Sequence, residues 1–396
     1  MNKLKSCLCC GVGSPEPISP AATGRPKKKS HAAQPHPDAT DCPGENMPLT
    51  SPTQNNNNSK GLSLKPCANS INFMLLGTSG SGKTTIFKQF DKMFQADVFT
   101  NGRAASIIAI KEFVRSCFTR FTRQLPDDTS YPSEEIQSLA MSLQDTTESR
   151  DIFDNLDDHI IDNLALLWTV IKECSCVAVC QQESDYFFLE KLQECLKVNY
   201  IPSDDDYLRC RVETQMSERR RYDNVPVGSK TWALTLTDVR GNKDDRRSWF
   251  GSFDEVDYFL YVASLADYNL TMEEDTSKNR LQDSLETFSD VMECLKTLSN
   301  FSRKGVIVLL NKEDSFKEKI AKDPLEKHFP KFQPNRPNDV MESKMFVKSQ
   351  FLQTAKKKGI DTKMIDVKFT SAIDKKFGDK IIHALLKNIV QQIIKG

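Results

Sequence analysis

Gly77-Thr78-Ser79-Gly80-Ser81-Gly82-Lys83-Thr84 reads GxxxxGK[ST], and few folds can accept such a string. It follows Ser70-Ile71-Asn72-Phe73-Met74-Leu75-Leu76, a short apolar run that predicts a buried parallel strand, and it precedes a predicted helix. Between a strand and a helix, glycines allow backbone N–H groups to close around phosphate oxygens. Lys83 is expected to reach the β- and γ-phosphates, and Thr84 to place its hydroxyl on Mg²⁺. The expected nucleotide contacts continue to Thr85. A Gly/Ser-rich turn can match the string by chance; the strand before it and the helix after it favour the phosphate reading.

Two further motifs follow in order. Thr237-Asp238-Val239-Arg240-Gly241 contains DxxG at the end of a predicted strand, where Asp238 is expected to hold Mg²⁺ through water and Gly241 to lie near the phosphates. Asn311-Lys312-Glu313-Asp314 is NKxD, again at a strand end. Asp314 can accept two hydrogen bonds from the N1–H and N2–H₂ edge of guanine. Adenine lacks that donor pair and would leave a buried carboxylate unpaired. Asn311 and Lys312 are expected to brace this loop. Phe369-Thr370-Ser371-Ala372 follows a later strand, and the Ala372 N–H is placed to meet guanine O6. The three motifs together separate a GTP-binding chain from an ATPase or a small-molecule kinase.

The pattern between them sets the architecture. Residues 1–68 are rich in Pro, carry Lys27-Lys28-Lys29 and the tract Asn55 to Asn58, and have too few apolar side chains to offset ordering entropy. They are expected to form a disordered arm. From 91 to 205 apolar residues recur at helical spacing: Ile107, Ile110, Phe113, Val114, Cys117 and Phe118; then Ile160, Ile161, Leu164, Leu167 and Trp168; then Phe188, Leu189, Leu192 and Leu196. This block is expected to be an inserted all-helical domain. Strands are predicted at Trp232 to Thr237, Tyr258 to Ala263, Val306 to Leu310 and Met364 to Phe369, with a last helix over 379–394. The expected fold class is α/β: a P-loop GTPase domain over 69–90 and 206–396, with a mostly parallel sheet, plus the inserted helical domain.

Composition narrows the function classes. Lys+Arg and Asp+Glu both number 54, so the formal net charge is zero, which argues against a whole-protein field for nucleic acid. The start, MNKLKSCLCC, has no long apolar core, and no stretch approaches the ~20 apolar residues of a membrane span. Of 12 cysteines only Cys7 and Cys10 show CxxC spacing, and the five histidines do not cluster. The cysteines are expected to be mostly reduced and cytosolic.

Taken in order around a helical block of this length, the motifs resemble those of heterotrimeric G protein alpha subunits over about residues 70–396. Tyr200-Ile201-Pro202-Ser203-Asp204-Asp205-Asp206-Tyr207-Leu208-Arg209-Cys210-Arg211-Val212-Glu213-Thr214 looks like the family's switch I. The likeness continues through Arg246, Arg247 and Trp249 and through Leu265-Ala266-Asp267-Tyr268. It implies that Arg211 neutralises charge on the γ-phosphate and that Thr214 is a second hydroxyl ligand of Mg²⁺. It also implies that Glu183 and Ser184, before a helix from Tyr186 to Leu196, close over the nucleotide. Leu208 and Arg209 complete the expected contacts, Arg209 by packing or on the ribose side. A solvated arginine in a polar loop is the alternative for Arg211.

Departures from the family pattern bear on catalysis. Asn242 stands where the family has the glutamine that orients the attacking water, on a stem one methylene shorter. Arg240 replaces a glycine, and its bulk is expected to hinder movement of the segment onto the γ-phosphate. Gly80 replaces a glutamate that pairs with the switch I arginine. Nucleotide binding is therefore expected to be intact and hydrolysis slow; the alternative is a GTP-binding scaffold with little turnover.

The resemblance also implies beta-gamma subunits, a G protein-coupled receptor and effectors as partners, and no nucleic acid. Asn2 replaces the family's myristoylated glycine, and the chain stops several residues short of the usual receptor-contacting tail, which leaves both couplings open. Cys7, Cys9 and Cys10 are candidate palmitoylation sites beside Lys3 and Lys5, so the expected location is the cytoplasm, with the inner face of the plasma membrane reached through lipidation.

Overall fold

A computed structural model describes residues 69–174, 183–210, 216–272 and 275–395. The N-terminal segment with Cys7, Cys9 and Cys10, and the expected site residues Arg211 and Thr214, lie outside the described residues.

The order of elements begins with β1 (Ser70–Leu76) and α1 (Lys83–Phe94). Helices follow: α2 (Ala96–Thr122), α3 (Glu134–Ser142), α4 (Thr146–Asp154), α5 (Asp158–Glu173), α6 (Glu183–Glu190), α7 (Leu192–Cys195) and α8 (Asp204–Arg209). Then come β2 (Glu218–Val227), β3 (Lys230–Asp238), β4 (Tyr258–Ser264), α9 (Arg280–Thr297), β5 (Gly305–Asn311), α10 (Glu313–Ile320), α11 (Leu325–His328), α12 (Val340–Lys357), β6 (Ile365–Phe369) and α13 (His383–Lys395).

The six strands form one sheet in the order β2-β3-β1-β4-β5-β6, parallel throughout except for β2 against β3. Successive side chains of β1 face opposite sides. Phe73 and Leu75 enter a core shared with Ile86, Phe87 and Phe90 of α1 and with Leu386 and Ile389 of α13. Met74 and Leu76 enter the other, with Phe288 and Met292 of α9 and Phe351 of α12. Burial on both faces explains why β1 reads as a continuous apolar run; each such side chain contributes roughly 1.5–3 kcal/mol.

A third apolar cluster joins Ile110, Val114 and Phe118 of α2 to Leu164, Leu167 and Trp168 of α5 and Phe188 and Leu189 of α6. These are the residues whose helical spacing stands out in the sequence. One expectation is corrected: the helix expected over Tyr186 to Leu196 is broken at Lys191, between α6 and α7. The last helix spans the expected residues and opens with a π-helical turn, Gly378–Ile382, before α13.

Strand β2 is absent from the predicted set. Half of its sequence, ERRRYDNVPV, is charged, and only Tyr222, Val225 and Val227 are buried. A sheet edge tolerates Arg and Pro226 because one side of its backbone needs no ladder partner, so the segment carries no apolar run. A bulge between Tyr222 and Val225, with Asn224 at φ 58°, further breaks its period.

Candidate functional site

The carboxyl ends of β1, β3, β4 and β5 converge, and chain order reverses around β1, the position where open parallel sheets form their crevice. A cleft of about 740 Å³ opens there. Its walls include Thr78, Ser79, Gly80, Gly82, Lys83, Thr84 and Thr85, then Ser184, Leu208 and Arg209, then Gly241 and Asn242, and finally Asn311, Lys312, Asp314 and Ala372. The structure thus brings together residues from six separate stretches of chain. Gly77, Ser81 and Asp238 lie behind this wall.

Glycine is required at two of these places by close approach. Gly82 has φ 104° and begins α1; a Cβ there would collide with the Asn311 amide nitrogen. Gly241 packs on the glycine-rich loop after β1, and a Cβ would strike Lys83 Nζ and stand 2.7 Å from Ser79 N. Asn311 explains the first approach. Its Nδ2 donates to Ser81 O at 3.0 Å, while its Oδ1 accepts from Thr370 Oγ1 at 3.2 Å and Ala372 N at 2.9 Å. One side chain therefore joins the loops after β1, β5 and β6. The Ala372 N–H is thus given to Asn311 in this structure.

Lys83 Nζ donates to Gly77 O and Thr78 O, both at 2.9 Å. Burial pulls its pKa down to about 8, partly offset by the nearby Asp238 carboxylate. Thr84 Oγ1 donates to Asp238 Oδ2 at 2.8 Å. Burial pushes the Asp238 carboxyl up, against the pull of Lys83, Thr84 and Lys88. Asp238 Oδ1, Asp314 Oδ1 and Ser81 Oγ are buried without a hydrogen-bond partner. Unpaired buried oxygens are uncommon in folded proteins and mark places where a ligand or water completes the bonding.

The segment after β3 is held by Arg246, which itself lines the cleft. Arg246 donates to Gly241 O at 3.2 Å, to Thr287 Oγ1 at 2.6 Å and to Asp283 Oδ2 at 2.7 Å on α9. Arg240 pairs with Asp245 at 3.2 Å, and its carbonyl accepts from Trp249 Nε1 at 2.9 Å. The Arg240 guanidinium is thus turned to Asp245 and is not part of the cleft wall. Arg209 pairs with Asp205 at 3.1 Å and lies 4.6 Å from the Phe187 ring, so it packs while still lining the cleft.

Sequence reasoning left five basic wall residues out of the site: Lys88, Arg120, Lys243, Arg246 and Arg280. Lys88 is one helical turn beyond Thr84, and a lysine beside Ile86, Phe87 and Phe90 was a legible signal. Arg280 at the start of α9 donates to Ser79 O at 3.1 Å across 201 residues, and Arg120 of α2 pairs with Asp185 at 2.7 Å. Neither has a spacing signal. Among the described residues no group of three or more His, Cys, Asp or Glu side chains is arranged to hold a metal, and no helix is long and apolar enough to cross a membrane.

Comparison with known proteins agrees with this geometry. The family described as G-protein alpha subunit matches residues 50–390. The chain is 28% identical over 329 residues to a guanine nucleotide-binding protein G(s) subunit alpha of Homarus americanus, covering 76% of this chain and 82% of that one. It is 26% identical over 332 residues to the guanine nucleotide-binding protein alpha-4 subunit of Dictyostelium discoideum, covering 82% and 90%. With the human G(olf) subunit alpha the identity is 27% over 335 residues, covering 76% and 81%.

Proposed function

This chain belongs to the G-protein alpha subunit family and is a guanine nucleotide-binding signalling subunit; from that premise we propose that it holds GDP or GTP with Mg²⁺ in the cleft at the end of β1 and hydrolyses GTP slowly. The carrying observation is the pair of unpartnered carboxylate oxygens, Asp314 Oδ1 and Asp238 Oδ1, with the glycine loop between them. Asp314 suits a base edge that presents two donors. Thr84 and Asp238 would hold Mg²⁺, which prefers oxygen ligands and keeps several waters, and the ion would neutralise phosphate charge. Lys83 and the N-terminal end of α1 would take the phosphates. In this reading 69–90 and 206–396 carry the nucleotide chemistry and 91–205 is the helical insert that covers it. Beta-gamma subunits, a receptor and effectors are the partners that family membership suggests. Calorimetric titration with GDP, GTP and ATP, with and without Mg²⁺, tests the proposal; ATP binding as tight as GTP would end it.

Thr84→Ala should weaken Mg²⁺-dependent GTP affinity about tenfold or more, since a ligand to a charged centre is lost and Asp238 loses its bond from Thr84. The contrast between titrations with Mg²⁺ and with a chelator measures it, and an unchanged contrast would remove Thr84 from the metal site.

Asn242 lines the cleft, and its stem falls roughly 1.3 Å short of a glutamine's. Misplacement of about 1 Å can cost on the order of a hundredfold. Asn242→Gln should therefore raise single-turnover GTP hydrolysis about tenfold or more. Equal rates for the two proteins would mean that another group positions the water. A protein with no turnover either way, but with tight GTP binding, would be the scaffold that Asn242 and Gly80 also allow.

A further inference from the structure

The cleft wall formed by Leu208, Arg209 and Cys210 hangs on the end of a short helix. Helix α8 has six residues, and the last carbonyls of any helix lack partners within it. Here they are satisfied from α1. Lys88 Nζ donates to Tyr207 O at 2.8 Å and to Cys210 O at 3.0 Å, and Thr85 Oγ1 donates to Leu208 O at 3.2 Å. The Lys88 ammonium also lies 4.3 Å from the centre of the Tyr207 ring, on which it stacks as a cation over a π-face. A cation at a helix C-terminus meets the negative end of the helix dipole. Lys88 is buried, and burial lowers its pKa to about 8, so it remains largely protonated at neutral pH. At the other end of α8, Lys92 of α1 and Arg103 of α2 pair with Asp204 at 3.0 and 3.1 Å, but both partners there are partly exposed.

Helix α1 also begins at Lys83 in the phosphate loop, and Gln89, next to Lys88, donates to Ala372 O at 2.7 Å. One rigid helix therefore touches the phosphate end, the loop after β6 and the wall at α8. The lysine is about 7.5 Å along the helix from Lys83, at 1.5 Å rise per residue. With two of its three N–H donors given to main-chain carbonyls, Lys88 acts on a bound ligand chiefly through that wall.

We propose that Lys88 is a positioning residue that fixes the Leu208–Cys210 wall to α1 and thereby slows release of the bound guanine nucleotide. The inference rests on the nucleotide reading of the cleft. Lys88→Met keeps the stem and loses the donors, leaving the buried Cys210 carbonyl and the part-buried Tyr207 carbonyl without their lysine partner; Lys88→Arg keeps charge and donors.

The test combines amide hydrogen exchange with the release of a fluorescent GDP analogue from the full chain. In Lys88→Met, exchange across residues 204–210 should rise about tenfold or more, while α5 and α12 stay protected; Lys88→Arg should largely restore protection. Release of the analogue should quicken by a similar factor, with association little changed. Unchanged exchange at 204–210, or a rise spread evenly over the chain, would overturn the clamp. A local rise without faster release would overturn its role in retention. If the unmodified chain failed to retain the analogue, the nucleotide reading itself would fail, and exchange in the nucleotide-free protein would still decide whether Lys88 holds the wall.

Discussion

Asp314→Ala should weaken GDP and GTP by about 3–6 kcal/mol, roughly 10²- to 10⁴-fold, because two hydrogen bonds to a charged acceptor are lost together. Asp314 stands at the start of α10, where the chain turns out of β5 through Lys312 at φ 60°. That left-handed residue aims the carboxylate into the cleft, and Asn311 locks the turn to the loops after β1 and β6. One oxygen of Asp314 is buried with no partner. The substitution should therefore leave the nucleotide-free protein at least as stable as before, since it removes an unsatisfied group. The two signs distinguish a base-reading residue from a structural one. Calorimetry should show the affinity loss, and urea denaturation without nucleotide should show no loss of stability. A fall in both would assign Asp314 to the fold.

Lys83→Met should weaken GDP about a hundredfold at pH 7, the loss of charge-assisted bonds to phosphate. The unmodified protein should add a pH signature. The free-state pKa of Lys83 is about 8, lowered chiefly by burial. Phosphate oxygens beside the ammonium would raise it in the complex. Binding then takes up a proton above pH 8 and none well below it. Affinity should be nearly flat up to about pH 7 and fall as pH rises through 8, by about tenfold at pH 9 on one-proton linkage. Lys83→Met should lose that slope. Titrations at pH 7, 8 and 9 read both effects, and a flat profile for the unmodified protein would show that its lysine does not meet the phosphates.

Much of the site was legible because its parts are local. A phosphate loop needs glycines at fixed offsets, and a strand buried on both faces needs a continuous apolar run, so Ser70 to Thr84 announced themselves. The ends of β3 and β5 carried Asp238 and Asn311 to Asp314 for the same reason. The helical stripes of α2, α5 and α6 were visible because each must bury one face. Together with their order, these local patterns fix the family and the fold class.

What the sequence could not decide is which distant groups share a partner. Asn311 serves three loops, Arg280 reaches the glycine-rich loop after β1 across 201 residues, and Lys88 satisfies carbonyls more than a hundred residues away. Such bonds have no period and no preferred spacing; they exist because packing the sheet and helices brings unpaired polar groups within reach. The same holds for β2, whose charged sequence becomes a strand because β3 offers it an open edge. The sequence alone determined the chemistry of the loops at the ends of β1, β3 and β5, since that chemistry is written in consecutive residues. Only the tertiary structure decided that Ala372 gives its N–H to Asn311, that Arg240 turns to Asp245, and that α1 holds the wall of the cleft, because each depends on which polar group lies nearest once the core has closed.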